Sequence, residues 1–377
     1  MAGWASGVAL VLAGHPFDTV KVRLQTQGVE GRFRGPLDCV RQTVVKEGFF
    51  GLYKGAAPPL VMTGFINSML FGLQAQAVRA VVGGANANVA LALAVRDEPQ
   101  AFLGRISTDG FGKQIREHLA SHGVNLEHSI TAEEQTTLAV ATIDSKGVAS
   151  YAFYTNGTAD WGWTPQELPS MRQFAELEVT AVQYGCLGMA MGPGNLVIED
   201  WLKEISAQSS ATLSHDLNIR PALGFDRAEE LRRVLRVNGF SNIIKASDAD
   251  IEWLYDLAEG ADLDEIAAEW SAGKLLVITR GGSGVSLYRD GNRIDVPGMK
   301  VDLVDTVGAG DTFMASFLAG LGAAEGLGSS PAERLVRISD SELVAIAQVA
   351  NAAAAIVCER VGCQPPTRAE IQSRLAG

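Results

Sequence analysis

One short stretch, Asp305-Thr-Val-Gly-Ala-Gly-Asp-Thr-Phe313, combines residue types that could transfer a proton beside a bound anion. Gly308 and Gly310 allow a tight turn because they have no Cβ. The apolar residues that follow predict a helix, and the free N–H groups at a helix N-terminus bind anions. Asp311 could take a proton from a hydroxyl group while those N–H groups hold a transferring phosphoryl group. The simpler alternative is a capped helix.

The elements that must position this stretch follow from Glu178 onward, where short apolar runs alternate with helical patterns. That order predicts a mostly parallel sheet with helices on both faces, an α/β fold. The predicted strands are Val179–Tyr184, Ala211–Leu217, Ile243–Lys245, Leu275–Thr279 and Val285–Tyr288, with a strand-like run at Lys300–Val304. The predicted helices are Gly194–Gln208, Ala228–Val237, Asp248–Ala258, Asp262–Ser271, Phe313–Leu321 and Leu343–Cys358.

Ligands bind such sheets beyond the carboxyl ends of the strands. Polar or glycine-rich loops fall there, at Asp216–Pro221, Lys245–Asp248, Arg280–Gly284 and Asp305–Asp311. The sequence therefore predicts that these four loops surround the site.

The region before Glu178 predicts smaller elements. Gly83-Gly84 precedes an Ala/Leu-rich run that is typical of a buried helix. Phe102–Gly112 predicts a strand and turn, and an amphipathic helix is expected at Gln114–His122. Thr136–Ile143 and Val148–Tyr154 flank a turn sequence and predict a half-exposed hairpin that could form a lid.

The charge distribution indicates a domain boundary near residue 82. The chain has 377 residues and a net charge of −12, which argues against a nucleic-acid-binding protein. Residues 1–82 carry a net charge of +4 and the remainder −16. The four cysteines are scattered, so neither a zinc site nor a disulfide framework is expected. We predict two domains, 1–82 and 83–377.

Residues 1–82 resemble one repeat of the mitochondrial carrier family, most closely its carnitine/acylcarnitine branch. Pro16-Phe-Asp-Thr-Val-Lys21 is similar to the family's proline–acid–base signature, and Glu47–Gly55 is similar to the acidic-glycine and aromatic-basic-glycine motif that follows it. The resemblance implies a proline-kinked helix pair, with Ala56–Val82 as the second membrane helix. Carriers contain three such repeats, so we do not expect this chain to transport by itself, and we expect Asp18 and Lys21 to form a surface ion pair at i,i+3.

Residues 82–377 resemble the ribokinase/phosphofructokinase-B family of ATP-dependent sugar kinases. Asp305–Phe313 is similar to its C-terminal signature and Gly83-Gly-Ala-Asn-Ala-Asn88 to its N-terminal one. Asn156–Asp160, Asp216–Pro221 and the run that begins at Cys358 resemble the bacterial fructokinase branch. The resemblance implies a ribokinase-like doubly wound sheet with a small β lid, through which two copies could form a homodimer.

The resemblance also implies roles for individual residues. Asp311 would be the catalytic base, and Gly308, Ala309 and Gly310 would give N–H groups to the phosphoryl charge. Gly83, Gly84 and Asn88 would hold sugar hydroxyls. Arg105 and Arg220 would bind phosphate or substrate oxygens, or alternatively form surface ion pairs.

The implied cofactors are ATP and Mg²⁺, with a monovalent cation such as K⁺ near Asp305. Asp250 would orient a water molecule on Mg²⁺, although Ser247 and Asp250 fit equally well as a capping pair for the next helix. Ser247, Gly282, Gly284 and Asn351 would line the nucleotide site. Asn351 also fits as an ordinary helix residue.

The chain departs from the family at the start of the kinase region. Such kinases open with a β-strand that carries a sugar-binding Asp, whereas here the carrier-like segment leads directly into Gly83-Gly84. The sequence thus predicts a fructokinase-like enzyme that makes fructose 6-phosphate without its first strand. The alternatives are a membrane carrier fragment and a gene fusion without activity. The kinase region favours the cytoplasm and the carrier repeat the mitochondrial inner membrane.

Overall fold

The computed structural model describes residues 2–27, 32–54, 80–143 and 149–377. Its internal contacts divide the chain into two units, Met1–Val81 and Val82–Gly377. The predicted membrane helix at Ala56–Val82 lies almost wholly outside the described residues, and so does the hairpin turn at Asp144–Gly147.

The first unit consists of helices around a small apolar cluster. Helix α1 (Ala2–Thr26) continues through Pro16, α2 is Pro36–Glu47, and a 3₁₀ turn follows at Phe49–Tyr53. Val20, Cys39 and Leu52 form the cluster.

The expected ion pair between Asp18 and Lys21 is wrong, because these two side chains do not pair. Both are exposed, where an ion pair gains little free energy. The guanidinium of Arg23 instead holds both oxygens of Glu47, at 2.5 and 2.9 Å.

The second unit begins with small elements. Helix α3 (Ala85–Ala94) is followed by β1 (Arg105–Ser107), α4 (Gly110–Ser121) and β2 (Ile130–Ala132). β1 and β2 pair in parallel as a separate two-stranded sheet. The predicted hairpin is present as β3 (Leu138–Ile143) and β4 (Ala149–Tyr154), paired antiparallel with Leu138 opposite Tyr154.

The main sheet has six strands. They are β5 (Ala181–Gly185), β6 (Thr212–Asp216), β7 (Ile243–Ser247), β8 (Leu275–Thr279), β9 (Gly284–Arg289) and β10 (Asn292–Pro297), in the order β10-β9-β8-β7-β6-β5. β5 to β8 are parallel, whereas β9 pairs antiparallel with both β8 and β10 at one side of the sheet. The mostly parallel, mixed sheet matches the predicted fold class.

Helices cover both faces of this sheet. They are α5 (Met171–Glu176), α6 (Leu187–Ala190), α7 (Gly194–Gln208), α8 (Arg227–Phe240), α9 (Asp248–Tyr255), α10 (Asp264–Trp270), α11 (Ala309–Ala323), α12 (Pro331–Arg337), α13 (Asp340–Cys358) and α14 (Arg368–Ala376), with short 3₁₀ turns at Ala159–Trp161, Pro165–Glu167, Pro221–Leu223 and Gly281–Ser283.

Side chains that alternate along a strand supply two separate cores, because successive strand residues point to opposite faces. Ile243 packs with Phe317 and Leu343 on the face of α11 and α13. Its neighbour Ile244 packs with Ile251 and Trp270 on the other face. Within the described residues, α13 is also the one helix long and apolar enough to cross a membrane, and much of it is buried in this core.

The predicted strand at Lys300–Val304 is wrong, since the segment pairs with no strand. The N–H groups of Val304 and Asp305 both donate to the carbonyl of Cys358 at the end of α13, at 2.8 and 3.1 Å. The carbonyl of Lys300 accepts from Arg374. Helix termini and a side chain thus satisfy backbone groups that a sheet would otherwise bind.

In the described part of the chain, β5 is one of the two edge strands of the main sheet, and β10 is the other. Thr212 donates to the carbonyl of Thr180, and Cys186 donates to Asp216. Since alternate residues of a parallel strand bond to the same neighbour, the backbone groups of Gln183 point to the other side, where no described strand pairs with them. A sheet without its opening strand would leave such an edge.

Candidate active site

A hydrogen bond between two helix N-termini lies at the centre of the site. Asn88 in the first turn of α3 donates from Nδ2 to Oδ2 of Asp311 in the first turn of α11, at 2.7 Å. Both side chains are buried. The two glycine-containing motifs predicted from the sequence thus meet although they are more than 200 residues apart.

The turn before α11 requires glycine. Gly308 is the N-cap of α11 with φ of +80°, and a Cβ there would lie 2.3 Å from the Sγ of Cys363. Both the backbone conformation and the close thiol exclude a larger residue. The N–H of Ala309, one of the three expected anion donors, donates to the carbonyl of Thr306 at 3.3 Å. N–H groups in the first turn of a helix that lack such a partner can bind an anion.

Asp311 has the properties of a buried base. Burial raises the pKa of its carboxyl group, and the hydrogen bond from Asn88 and the positive charges of Lys245 and Arg220 oppose that shift. A raised pKa gives a carboxylate more affinity for a substrate proton, while the three polar neighbours favour its ionised form.

A buried ion pair that the sequence did not predict lies at the same edge of the sheet. Nζ of Lys245 on β7 donates to Oδ2 of Asp216 on β6 at 2.8 Å, and both side chains are about 95% buried. Both residues occupy strand ends that the sequence placed near the site. Nothing local distinguishes them from other polar residues there, because pairing across the sheet is what brings them together.

Arg220 also faces the site. Its Nη1 donates to the carbonyl of Ile219, and it pairs with no carboxylate in the described part of the chain. Its charge acts on both Asp216 and Asp311. Cys186 lies nearby at the end of β5, where burial raises the pKa of its thiol to about 11 and keeps it protonated.

The positive charge of Arg105 is already paired with two carboxylates. Its guanidinium donates to the carboxylates of Glu134 and Glu167 and to the carbonyl of Ala159, and only 8% of the side chain is exposed. The ion-pair alternative describes it better than ligand binding, although the pairing is buried and not on the surface. The sequence could not predict this, because both acids come from distant loops.

The capping alternative for Ser247 and Asp250 is present in the structure. The Asp250 N–H donates to the Ser247 hydroxyl oxygen at 3.0 Å, and Oδ2 of Asp250 accepts from the Ser247 N–H at 2.8 Å. Oδ1 of Asp250 accepts from the N–H of Ile219. A role for Asp250 with Mg²⁺ stays a prediction.

The described residues do not form a metal site of their own. They contain no group of three His, Cys, Asp or Glu side chains that could hold a metal ion. Asp305 binds the N–H groups of Val307 and Gly362 through its two oxygens, at 3.1 and 2.8 Å. The monovalent cation near Asp305 therefore stays a prediction, and any Mg²⁺ would need ligands from a nucleotide or water.

Three of the residues expected to line the nucleotide site lie together. Gly284 pairs with Pro297 across β9 and β10, and Asn351 on α13 donates to the carbonyl of Pro297 at 3.1 Å. A Cβ on Gly284, whose φ is +98°, would lie 2.2 Å from the carbonyl oxygen of Val296. Gly282 lies in the exposed 3₁₀ turn between β8 and β9. These placements leave nucleotide binding as a prediction.

The predicted sugar-binding glycines lie beside Asn88. Gly84 is the N-cap of α3 with φ of +129°, and its carbonyl accepts from the N–H of Asn88 at 2.8 Å. Gly83 and Gly84 are both exposed. The amide of Asn88, which was expected to hold a sugar hydroxyl, is engaged with Asp311 in this structure.

In comparison with known proteins, the two parts of the chain match different family models. Residues 72–370 match the model of the pfkB family carbohydrate kinases, and residues 1–84 match that of the mitochondrial carrier proteins. A fructokinase from Rhizobium leguminosarum bv. trifolii is 35% identical over 241 residues, which cover 63% of this chain and 71% of that protein. A mitochondrial substrate carrier family protein L from Dictyostelium discoideum is 60% identical over 72 residues, 19% of this chain and 25% of that protein.

Solved structures show the same fold. The crystal structure of fructokinase from Vibrio cholerae O395, in a form with fructose, ADP and calcium ion bound, superposes with a TM-score of 0.66 and 22% sequence identity. The match covers 78% of this chain and 91% of that one. The ribokinase-like architecture predicted from the sequence is confirmed.

Proposed function

Because this chain belongs to the pfkB family of carbohydrate kinases, we propose that it transfers the terminal phosphoryl group of ATP to the 6-hydroxyl of fructose. The observation that carries the proposal is the contact of Asn88 with Asp311 at the start of α11, directly after the Gly308–Gly310 turn. A buried carboxylate beside the N–H groups at the start of α11 is the arrangement that phosphoryl transfer requires.

The chain's own residues can perform each part of the reaction. Asp311 accepts the proton of the sugar hydroxyl, whose oxygen then forms the new bond to phosphorus while the bond to ADP breaks. The N–H groups that follow Gly308 stabilise the charge on the transferring oxygens. Asn88 orients the carboxylate for the proton. These roles need fixed donors and a positioned base, with no covalent intermediate on the protein.

Fructose as the acceptor is supported by the relatives. The Rhizobium protein is a fructokinase, and the neighbour from Vibrio cholerae has fructose and ADP bound. The sugar contacts of this chain would come from Gly83, Gly84, Asn88 and Arg220. Arg105 is left out of this proposal, because its guanidinium already pairs with Glu134 and Glu167.

Replacement of the base tests the proposal. In Asp311→Asn, fructose-dependent release of ADP should fall by about 10²-fold or more, because the amide cannot accept the proton. Thermal unfolding monitors the fold. Since burial raises the pKa of Asp311, its ionised form costs stability at neutral pH, and the variant should unfold at the same or a higher temperature.

Asp200→Asn is the matched control, because Asp200 is an exposed aspartate on α7. It should keep the activity of the unmodified protein. Fructose-dependent ADP release that persists in Asp311→Asn, or that is missing in the unmodified protein at high enzyme concentration, would contradict the proposed function.

A further inference from the structure

The ammonium group of Lys245 lies beside the first turn of α11, next to Gly310. Its Nζ is 3.4 Å from the position that a Cβ on Gly310 would occupy, and 2.8 Å from Oδ2 of Asp216. Because Gly310 has no side chain, the cation can approach the backbone N–H groups of the turn. No other ammonium or guanidinium group comes as near to Gly310 among the described residues.

Lys245 carries its charge although it is buried. Burial opposes ionisation, but the carboxylates of Asp216, Asp311 and Asp250 outweigh it and raise the pKa of the ammonium group. Three carboxylates thus surround one lysine, with Arg220 as a second cation nearby. The site holds its positive charge in a fixed place before any ligand binds.

Stability alone gives little reason for such a pair. Removing two charges from water is costly, and apolar residues of similar volume often replace a buried ion pair without loss of stability. A fixed cation beside a helix N-terminus, in contrast, adds to the field that stabilises a transferring anionic group. The position of Lys245 beside the start of α11 therefore indicates a role in catalysis.

We propose that Lys245, held by Asp216, supplies a fixed positive charge that stabilises the phosphoryl group in transfer at the Gly308–Gly310 turn. This inference rests on the proposed kinase function. Asp216 acts as a positioning residue, because its carboxylate directs the ammonium toward the turn. The ion pair of Lys245 and Asp216 should therefore stabilise the transition state more than it contributes to the binding of ATP or sugar.

The first test compares Lys245→Met with Lys274→Met in the full-length protein. Lys274 is a part-buried lysine at the amino end of β8, and its Nζ donates to the carbonyl of Asn238. Lys245→Met should lower kcat by about 10²-fold with little change in the KM for fructose, and Lys274→Met should leave kcat unchanged. Equal effects of the two variants on kcat would overturn the proposal.

Lys245→Met leaves Asp216 buried without its partner, so the double variant Lys245→Met/Asp216→Asn serves as a second probe. It removes both charges and should fold, as measured by a cooperative thermal transition. A pair with only a structural role would give an active double variant, which would overturn the proposal. We expect the double variant to be as slow as Lys245→Met.

A binding measurement separates this proposal from the kinase proposal. Aluminium fluoride mimics a phosphoryl group in transfer, so the affinity for ADP with Mg²⁺ is measured with and without it. The unmodified protein should bind ADP more tightly in its presence, and Lys245→Met should lose that gain but keep its affinity for ADP alone. An equal gain in both proteins, or no gain in the unmodified protein, would overturn the role of Lys245 whether or not fructose is phosphorylated.

Discussion

A single hydrogen bond couples Asn88 to the ionisation of Asp311. The amide donates to the carboxylate, so it stabilises the charged form and lowers the pKa of Asp311 against the upward effect of burial. A base must be ionised to accept a proton. The activity should therefore fall on acidification, at a pH above the usual range of an aspartate.

Replacement of Asn88 by Ala should move this acidic limb to higher pH. The sign is upward because the ionised form of Asp311 loses a hydrogen-bond donor. The measurement is kcat/KM for fructose against pH. Asn351→Ala is the control, since Asn351 donates to a carbonyl group that does not titrate in this range. An acidic limb that stays in place in Asn88→Ala would contradict this coupling.

At the scale of elements, β5 is an edge strand of the main sheet, with no described strand on its outer side. The N–H of Val182 points to β6, where it donates to Thr212, whereas that of Gln183 points to the side without a described strand. Proline is tolerated in a strand only where its missing N–H has no ladder partner. Two neighbouring residues can therefore report on this edge.

Gln183→Pro should destabilise the protein much less than Val182→Pro. The first loses only the side-chain bond from Gln183 to the carbonyl of Tyr184, at a cost of about 1 kcal/mol. Val182→Pro instead removes a hydrogen bond of the sheet and leaves the buried carbonyl of Thr212 without its donor, at a cost of about 2–3 kcal/mol. Chemical denaturation measures both. Equal destabilisation would mean that a strand pairs with β5 in the folded protein.

At the scale of the whole molecule, two units with different chemistry share one chain. The site residues from Gly83 to Asn351 all belong to the second unit. The first unit exposes large apolar side chains, among them Phe17, Leu37 and Phe50. Exposed apolar surface of this kind favours contact with a membrane or another protein, which agrees with the match of residues 1–84 to the carrier family.

Deletion of residues 1–81 should therefore separate kinase activity from binding to phospholipid vesicles. The fragment 82–377 should keep kcat/KM for fructose within about threefold, because it contains every residue proposed for the reaction, and should lose any binding to phospholipid vesicles. Sedimentation with vesicles and coupled ADP release measure the two properties. A fragment that unfolds cooperatively but is inactive would show that the first unit contributes to catalysis.

Local patterns in the sequence determined the type of most elements and indicated the candidate site residues. Glycines at Gly308 and Gly310 before an apolar helix indicated the anion turn, and alternating strand and helix patterns indicated the parallel sheet, because backbone conformation and burial follow from nearby residues. The run Lys300–Val304 resembled a strand, but strand formation also requires a partner. None is present for it in the described part of the chain.

Only the tertiary structure decided which charges are free and which are paired. Arg105 is neutralised by Glu134 and Glu167 from separate loops, whereas Lys245 meets Asp216 across two strands and lies beside Gly310. The energy of a charge depends on the groups within a few ångströms and on burial. The packing of distant segments sets both, so neither can be read from spacing along the chain.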